Sequence, residues 1–252
     1  MVSTMSGVAI VSGGSRGIGA STSTLLAERG WDVAVGYHQE TEEAHRVAAV
    51  CRSFGRRSVA VAVDVSSEEA VVRFFATIDR ELGPPEALVN CAGVVDRKAR
   101  LDQMTAARIE HILAVNVVGS FLCAREAVRR MSVGHGGTGG SIVNLSSAAS
   151  RLGSPGEYID YAASKGAIDT MTIGLAREVA QEGIRVNAVR PGLVNTDIHA
   201  SGGQPDRLER LAPLVPMGRS GEAHEVAHAV VWLCSDEASY VTGALIDVSG
   251  GR

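Results

Sequence analysis

Between Ser146 and Lys165 the chain reads SSAASRLGSPGEYIDYAASK and supplies groups able to handle a proton and a carbonyl oxygen. Tyr161 and Lys165 are four residues apart, so on a helix they share one face, one turn from each other. An ammonium beside a phenol favours phenolate and lowers a pKa that starts at about 10. A hydroxyl from Ser146 or Ser147 could hold a carbonyl oxygen at the same place. Tyrosine and lysine at this spacing are also common as plain neighbours on a solvated helix. The elements around the stretch must therefore decide its meaning.

Val8 to Val11 is a short apolar run that ends in Gly13-Gly14-Ser15-Arg16-Gly17-Ile18-Gly19, which reads as a buried strand feeding a glycine-rich turn. Helical character follows from Ala20 to Arg29 and stops at Gly30, and Val33 to Val35 forms the next strand. A strand, glycine turn, helix and strand within this span place a dinucleotide pyrophosphate at a helix N-terminus. The spacing Gly13-x3-Gly17-x-Gly19 differs from the commoner GxGxxG.

The alternation continues. Thr41 to Ser53 is helical, and Val59 to Val63 is a strand leading to Asp64-Val65. Ser66 and Glu69 form a capping box that opens a helix to Leu82. Ala87 to Asn90 is a strand, Thr105 to Met131 is a long helical stretch, and 132–140 is a flexible loop. Ser141 to Leu145 then delivers Ser146 and Ser147 at a strand end. A helix carrying Tyr161 and Lys165 runs to about Glu182, and Ile184 to Val189 and Ala244 to Val248 complete seven strand-like runs. This is an α/β pattern: a doubly wound, seven-stranded parallel sheet with helices on both faces and ligands at the C-terminal strand ends.

A chain of 252 residues, 45% hydrophobic, accommodates one large core, so a single domain over 1–252 is expected. A net charge of -4 argues against nucleic acid as the main partner. Cys51, Cys91, Cys123 and Cys234 are scattered without a metal-type spacing, so no metal is expected and free thiols in a reducing compartment are. The apolar run at Val8 is too short for a signal or membrane helix, so the expected location is cytoplasmic, with no membrane partner.

These motifs, with Asn90-Cys91-Ala92-Gly93, Asn116, Tyr161-Ala162-Ala163-Ser164-Lys165, Pro191-Gly192 and Val241-Thr242-Gly243, resemble the short-chain dehydrogenase/reductase family from end to end. Within it the chain is most similar to glucose 1-dehydrogenase-like and 3-oxoacyl-carrier-protein reductase-like enzymes. The resemblance implies a single-domain Rossmann fold and a tetrad of Asn116, Ser147, Tyr161 and Lys165. Tyr161 would be the acid in reduction and the base in oxidation. Ser147 would hydrogen-bond the substrate oxygen. Lys165 would lower the Tyr161 pKa and bond the nicotinamide ribose, and Asn116 would hold a relay water. Tyr158 is a rival phenol without a lysine four residues on, since Ala162 stands there.

For the cofactor, the resemblance implies binding by Gly13, Ser15, Arg16, Gly17, Ile18 and Gly19. Asp64 would accept from the adenine amine, Val65 would contact the ring, and Asn90, Ala92 and Gly93 would line the adenosine and ribose. Cys91 replaces the family's commoner second asparagine. Pro191, Gly192, Val194 and Thr196 would meet the nicotinamide or a phosphate. After Val35-Gly36-Tyr37-His38-Gln39 no acid comes before Glu40, and Asp32 is at the wrong end of its strand. Arg16 and His38 could face a 2'-phosphate, with Tyr37 beside them, so NADP(H) is favoured over NAD(H).

The segment at about 197–217 reads as a substrate lid in which Arg207, Glu209 and Arg210 form a charge run facing water. The expected reaction is hydride transfer between the cofactor and a carbonyl or secondary alcohol, such as a sugar or small alcohol. A 3-oxoacyl-carrier-protein reductase is the alternative, and a non-catalytic dinucleotide-sensing regulator is the alternative of another class. Resemblance also implies a homotetramer.

Overall fold

The computed structural model describes residues 7–252, apart from the side chains of residues 199 and 200. The order begins β1 (Val8–Ser12), α1 (Gly17–Glu28), β2 (Asp32–Tyr37), α2 (Thr41–Ser53), β3 (Ser58–Ala62), α3 (Glu68–Glu81) and β4 (Ala87–Asn90). It continues with α4 (Ala106–Leu113), a π turn (Ala114–Val118), α5 (Gly119–Met131), β5 (Gly140–Leu145), α6 (Ala149–Leu152), α7 (Ile159–Val179) and β6 (Ile184–Pro191). Last come β7 (Val194–Asn195), α8 (Ile198–Ser201), α9 (Arg207–Leu211), β8 (Gly221–Glu222), α10 (Ala223–Cys234) and β9 (Leu245–Val248).

Seven strands form a parallel sheet, as the sequence pattern predicts, and their order is β3-β2-β1-β4-β5-β6-β9. The chain leaves β1 toward β3 on one side and returns through β4 on the other. The crevice at that reversal, at the carboxyl ends of β1 and β4, is where ligands gather in open α/β sheets.

Strand side chains alternate between two cores because successive residues point to opposite faces. Ala9, Val11, Val33, Val35 and Val89 pack with α1, α2 and α10 through Leu26, Ala48 and Val230. Val8, Ile10, Ala34 and Leu88 pack with α3, α5 and α7 through Phe74, Cys123 and Ile168. Both faces are covered, so the strands read as continuous apolar runs. Each large side chain so buried, such as Phe74, Phe75 or Ile10, contributes roughly 1.5–3 kcal/mol.

Two local readings change. The N-cap of α3 is Ser67, whose hydroxyl accepts from the Ala70 amide, whereas Ser66 donates to Asp64. Asp64 holds both the amide and the hydroxyl of Ser66, so the capping duty passes one residue on. The segment 132–140 is anchored: the Ser132 hydroxyl bonds Glu182 and accepts from Gly134 N, and Gly139 N bonds Met131 O.

Among the described residues, Ala106–Met131 is long and apolar enough by composition to cross a membrane, and 28% of its most apolar window is buried. It is tied to α3 instead, through Arg125 to Glu68 and Arg130 to Asp79. Its outer face leaves Leu113, Val118 and Phe121 exposed.

Candidate active site

The glycine turn is closed by contacts that tolerate no side chain. A Cβ on Gly19 would lie 2.1 Å from the Gly13 carbonyl oxygen, and Gly13 itself has φ +67 against the Ala92 backbone. The turn therefore brings the start of α1 against the end of β4. The N-cap of α1, Arg16, makes no side-chain capping bond, and no acid stands in the first turn. Its leading N–H groups are thus free of a side-chain acceptor and carry the positive end of the helix dipole. A pyrophosphate fits this cradle.

β5 ends at Leu145 and releases Ser146 and Ser147 at the sheet's carboxyl edge. The Ser146 hydroxyl donates to Lys165 O at 3.1 Å and fastens the strand end to α7. The Ser147 hydroxyl accepts from Ala149 N and is the serine that hydrogen-bonds the Tyr161 phenol. The start of α7 is fixed from α4. Arg108 grips Asp160 at 2.7 Å, and Asp160 accepts from the Tyr161 amide. The two side chains of this pair are 10% and 2% exposed, so losing either partner would leave a buried charge. Sequence reasoning missed this brace, because its partners lie 52 residues apart.

Lys165 is buried, and its ammonium donates to Leu145 O at 2.7 Å. Burial pushes its pKa down to about 8, offset in part by Cys91 and Asp169. The Lys165 ammonium lies over the Tyr161 ring, 5.6 Å from its centroid. Tyr161 is pushed above its ordinary value by burial, while the Ser147 hydrogen bond lowers it and the Cys91 thiol adds to the rise. Desolvation is the largest of these influences and sets the direction.

Asn116 is fully buried in the π turn, an interruption often found at functional sites. Its amide donates to Val94 O and to the Ser164 hydroxyl, and its oxygen accepts from Val94 N at 2.8 Å. A Cβ on Gly93 would sit 3.4 Å from Asn116 Oδ1 and 3.5 Å from Lys165 Nζ, so these two groups flank the same backbone. Asn116 stands behind the cleft rather than lining it.

A cleft of about 900 Å³ joins the cradle to Ser147, Tyr161 and Lys165. Gly13, Ser15, Arg16, Gly17, Ile18 and Gly19 line its first end, with Tyr37 and His38 beside them. Asp64, Val65, Ala92 and Gly93 line the middle, and Pro191, Gly192, Val194 and Thr196 the far wall. A Cβ on Gly17 would lie 3.2 Å from Thr196 Cγ2, so the two walls nearly meet there. Hydrogen bonds from Ser66 hold the Asp64 carboxyl below its ordinary value.

Two expectations are corrected, and Glu40 gains a place in the cleft. Asn90 does not line the cleft; its amide donates to Asn144 at 2.9 Å inside the sheet, and its neighbour Cys91 lines the cleft instead. Arg207 does not face water. Its side chain is 14% exposed, lines the cleft, and pairs with Glu157 at 2.6 Å. Glu40, the first acid after β2, also lines the cleft and pairs with Arg16 at 3.5 Å. Among the described residues no cluster of three or more His, Cys, Asp or Glu could hold a metal.

Comparison with known proteins adds lineage to this geometry. A family model described as enoyl-(acyl carrier protein) reductase matches residues 13–252. The chain is 54% identical over 245 residues to YgfF, an uncharacterized oxidoreductase of Escherichia coli K12, covering 97% of this chain and 99% of that one. It is 36% identical to an NADPH-dependent aldehyde reductase-like protein of Arabidopsis thaliana, covering 97% and 93%. A crystal structure of a short-chain type dehydrogenase/reductase from Mycobacterium marinum superposes with a TM-score of 0.90 at 31% identity, covering 97% and 94%.

Proposed function

The chain belongs to the short-chain dehydrogenase/reductase family of oxidoreductases, and within it we propose reversible hydride transfer between NADP(H) and a carbonyl or secondary alcohol, run by Asn116, Ser147, Tyr161 and Lys165. The observation that carries the reading is the meeting of the Ser147 hydroxyl, the Tyr161 phenol and the Lys165 ammonium at one end of a cleft whose other end is a phosphate cradle. The cofactor, when bound, supplies or accepts the hydride.

The chain's own groups do the rest. Ser147 and Tyr161 donate hydrogen bonds to the carbonyl oxygen, polarising it and stabilising negative charge as it develops. In reduction the Tyr161 proton passes to that oxygen; in oxidation the phenolate takes the alcohol proton back. Lys165 stabilises the phenolate and holds the nicotinamide ribose. Asn116, through its bonds to Val94 and Ser164, positions the backbone along which a water would return the proton.

The nucleotide preference rests on Arg16 and His38. Both stand at the cleft end by Tyr37, and Arg16 is half-exposed, restrained only by a surface ion pair to Glu40. Such pairs contribute little, about 0–1 kcal/mol, so the guanidinium is free to turn to a 2'-phosphate. The exposed apolar residues of α4, the π turn and α5, with Trp232 and Tyr240, suit a homotetramer interface.

Turnover of a carbonyl panel followed at the nicotinamide absorbance tests this function. NADPH should be used in preference to NADH. Tyr161→Phe should bind NADPH normally and lose at least about a thousandfold in kcat. Full turnover by that variant would remove the proton role.

A further inference from the structure

Beyond the tetrad, the cleft continues toward the lid, and its polar groups there are already engaged with one another. The Tyr158 hydroxyl donates to Gly202 O at 3.1 Å and accepts from Gln204 Nε2. Gln204, itself buried, accepts from Arg210 through its other end. Arg207 lies over the Tyr158 ring, 5.3 Å from its centroid, and binds one carboxylate oxygen of Glu157. Lys98 approaches the other Glu157 oxygen at 3.7 Å. The three cations Arg207, Lys98 and Arg210 hold Glu157 ionised, below its ordinary value. The latch thus joins the lid to the loop before α7 and consumes its own hydrogen-bonding capacity.

What it leaves toward the substrate is apolar: Val94 and Val95 after β4, Leu152 and Pro155 before α7, and Ile198 and Leu211 from the lid. The other polar lining groups at this end are Asp197, which is exposed, and Ser154 and Arg252, which are partly exposed, so all three stay open to solvent. Ser147 and Tyr161 are committed to the reacting oxygen. A sugar entering here would strip water from several hydroxyls and meet no free partner for most of them, which is costly. An apolar carbonyl compound would lose only unfavourable hydration.

Resting on the proposed reading of the tetrad, we infer that the substrate is a small, uncharged, largely apolar aldehyde or ketone, or the matching alcohol, rather than a polyhydroxy sugar. The balanced reduction is carbonyl plus NADPH plus a proton giving alcohol plus NADP+. The hydride forms the new C–H bond, and the Tyr161 proton forms the O–H bond.

The test compares cyclohexanone and benzaldehyde with D-glucose and acetoacetyl thioester in two measurements. In turnover with NADPH, or with NADP+ for glucose, the apolar carbonyls should lead in kcat/KM by at least about tenfold. In calorimetric titration of the Tyr161→Phe protein loaded with NADPH, cyclohexanone should bind and glucose should not. Val95→Thr, isosteric but polar, should narrow the preference. Glucose or the thioester matching the apolar carbonyls in either measurement would overturn the substrate class. Binding of cyclohexanone without turnover of any compound by the unmutated enzyme would overturn the hydride-transfer reading and leave the cleft's selectivity standing.

Discussion

Lys165 pays for its position. Its ammonium is buried with one carbonyl partner, and its pKa falls from 10.5 to about 8. A fall of that size costs about 3 kcal/mol of folding stability at neutral pH. Replacing it with methionine removes that cost but leaves the buried Leu145 carbonyl without its bond, so Tm should rise by roughly 2–6 °C while turnover is abolished. The direction with pH follows from proton counts. Between pH 8 and 10.5 the unfolded chain keeps the Lys165 proton that the folded chain has lost, so stability rises with pH there. The Tm gap between Lys165→Met and the unmutated protein should accordingly close across that window, as calorimetry at stepped pH would measure. A lower Tm for Lys165→Met at pH 7 would contradict this account. Ser146 and Ser147 separate at this scale too: one hydroxyl ties β5 to α7, and the other hydrogen-bonds the phenol.

At the scale of elements, α1 and α7 do opposite jobs with the same backbone. α1 offers an uncapped N-terminus that can bind an anion, and α7 carries side chains whose angle is set by Arg108 and Asp160. The cradle depends on Gly19 because any Cβ there collides with the Gly13 carbonyl. Gly19→Ala should weaken NADPH binding by more than about tenfold in a fluorescence titration while the far-ultraviolet dichroism stays unchanged. Unaltered binding would mean the turn can open without cost. The segment proposed as a lid carries the short helices α8 and α9 and is tied to Tyr158 through Gly202 O and to Glu157 through Arg207.

At the scale of the molecule, the helix run Ala106–Met131 presents Leu113, Val118 and Phe121 outward, and the proposed homotetramer would bury them. A second copy of the chain is the cover that the family resemblance implies. Phe121→Asp should then lower the assembly state in light scattering, with the secondary structure retained. A monomeric mass for the unmutated protein would remove the interface.

The parallel sheet and the glycine turn were legible in the sequence because each depends on local patterning: apolar runs of strand length, glycines where the backbone must approach, helices between. Tyr161 and Lys165 were candidates for the same reason, being tied to a helix register, while the choice of Ser147 over Ser146 came from the family resemblance. Tertiary structure alone decided what depends on long-range approach. It turned Asn90 into the sheet toward Asn144. It carried Arg207 across 50 residues of chain to Glu157. It also set the pKa order of Tyr161 and Lys165 through burial, because desolvation is a property of everything packed around a group and not of its neighbours in the chain.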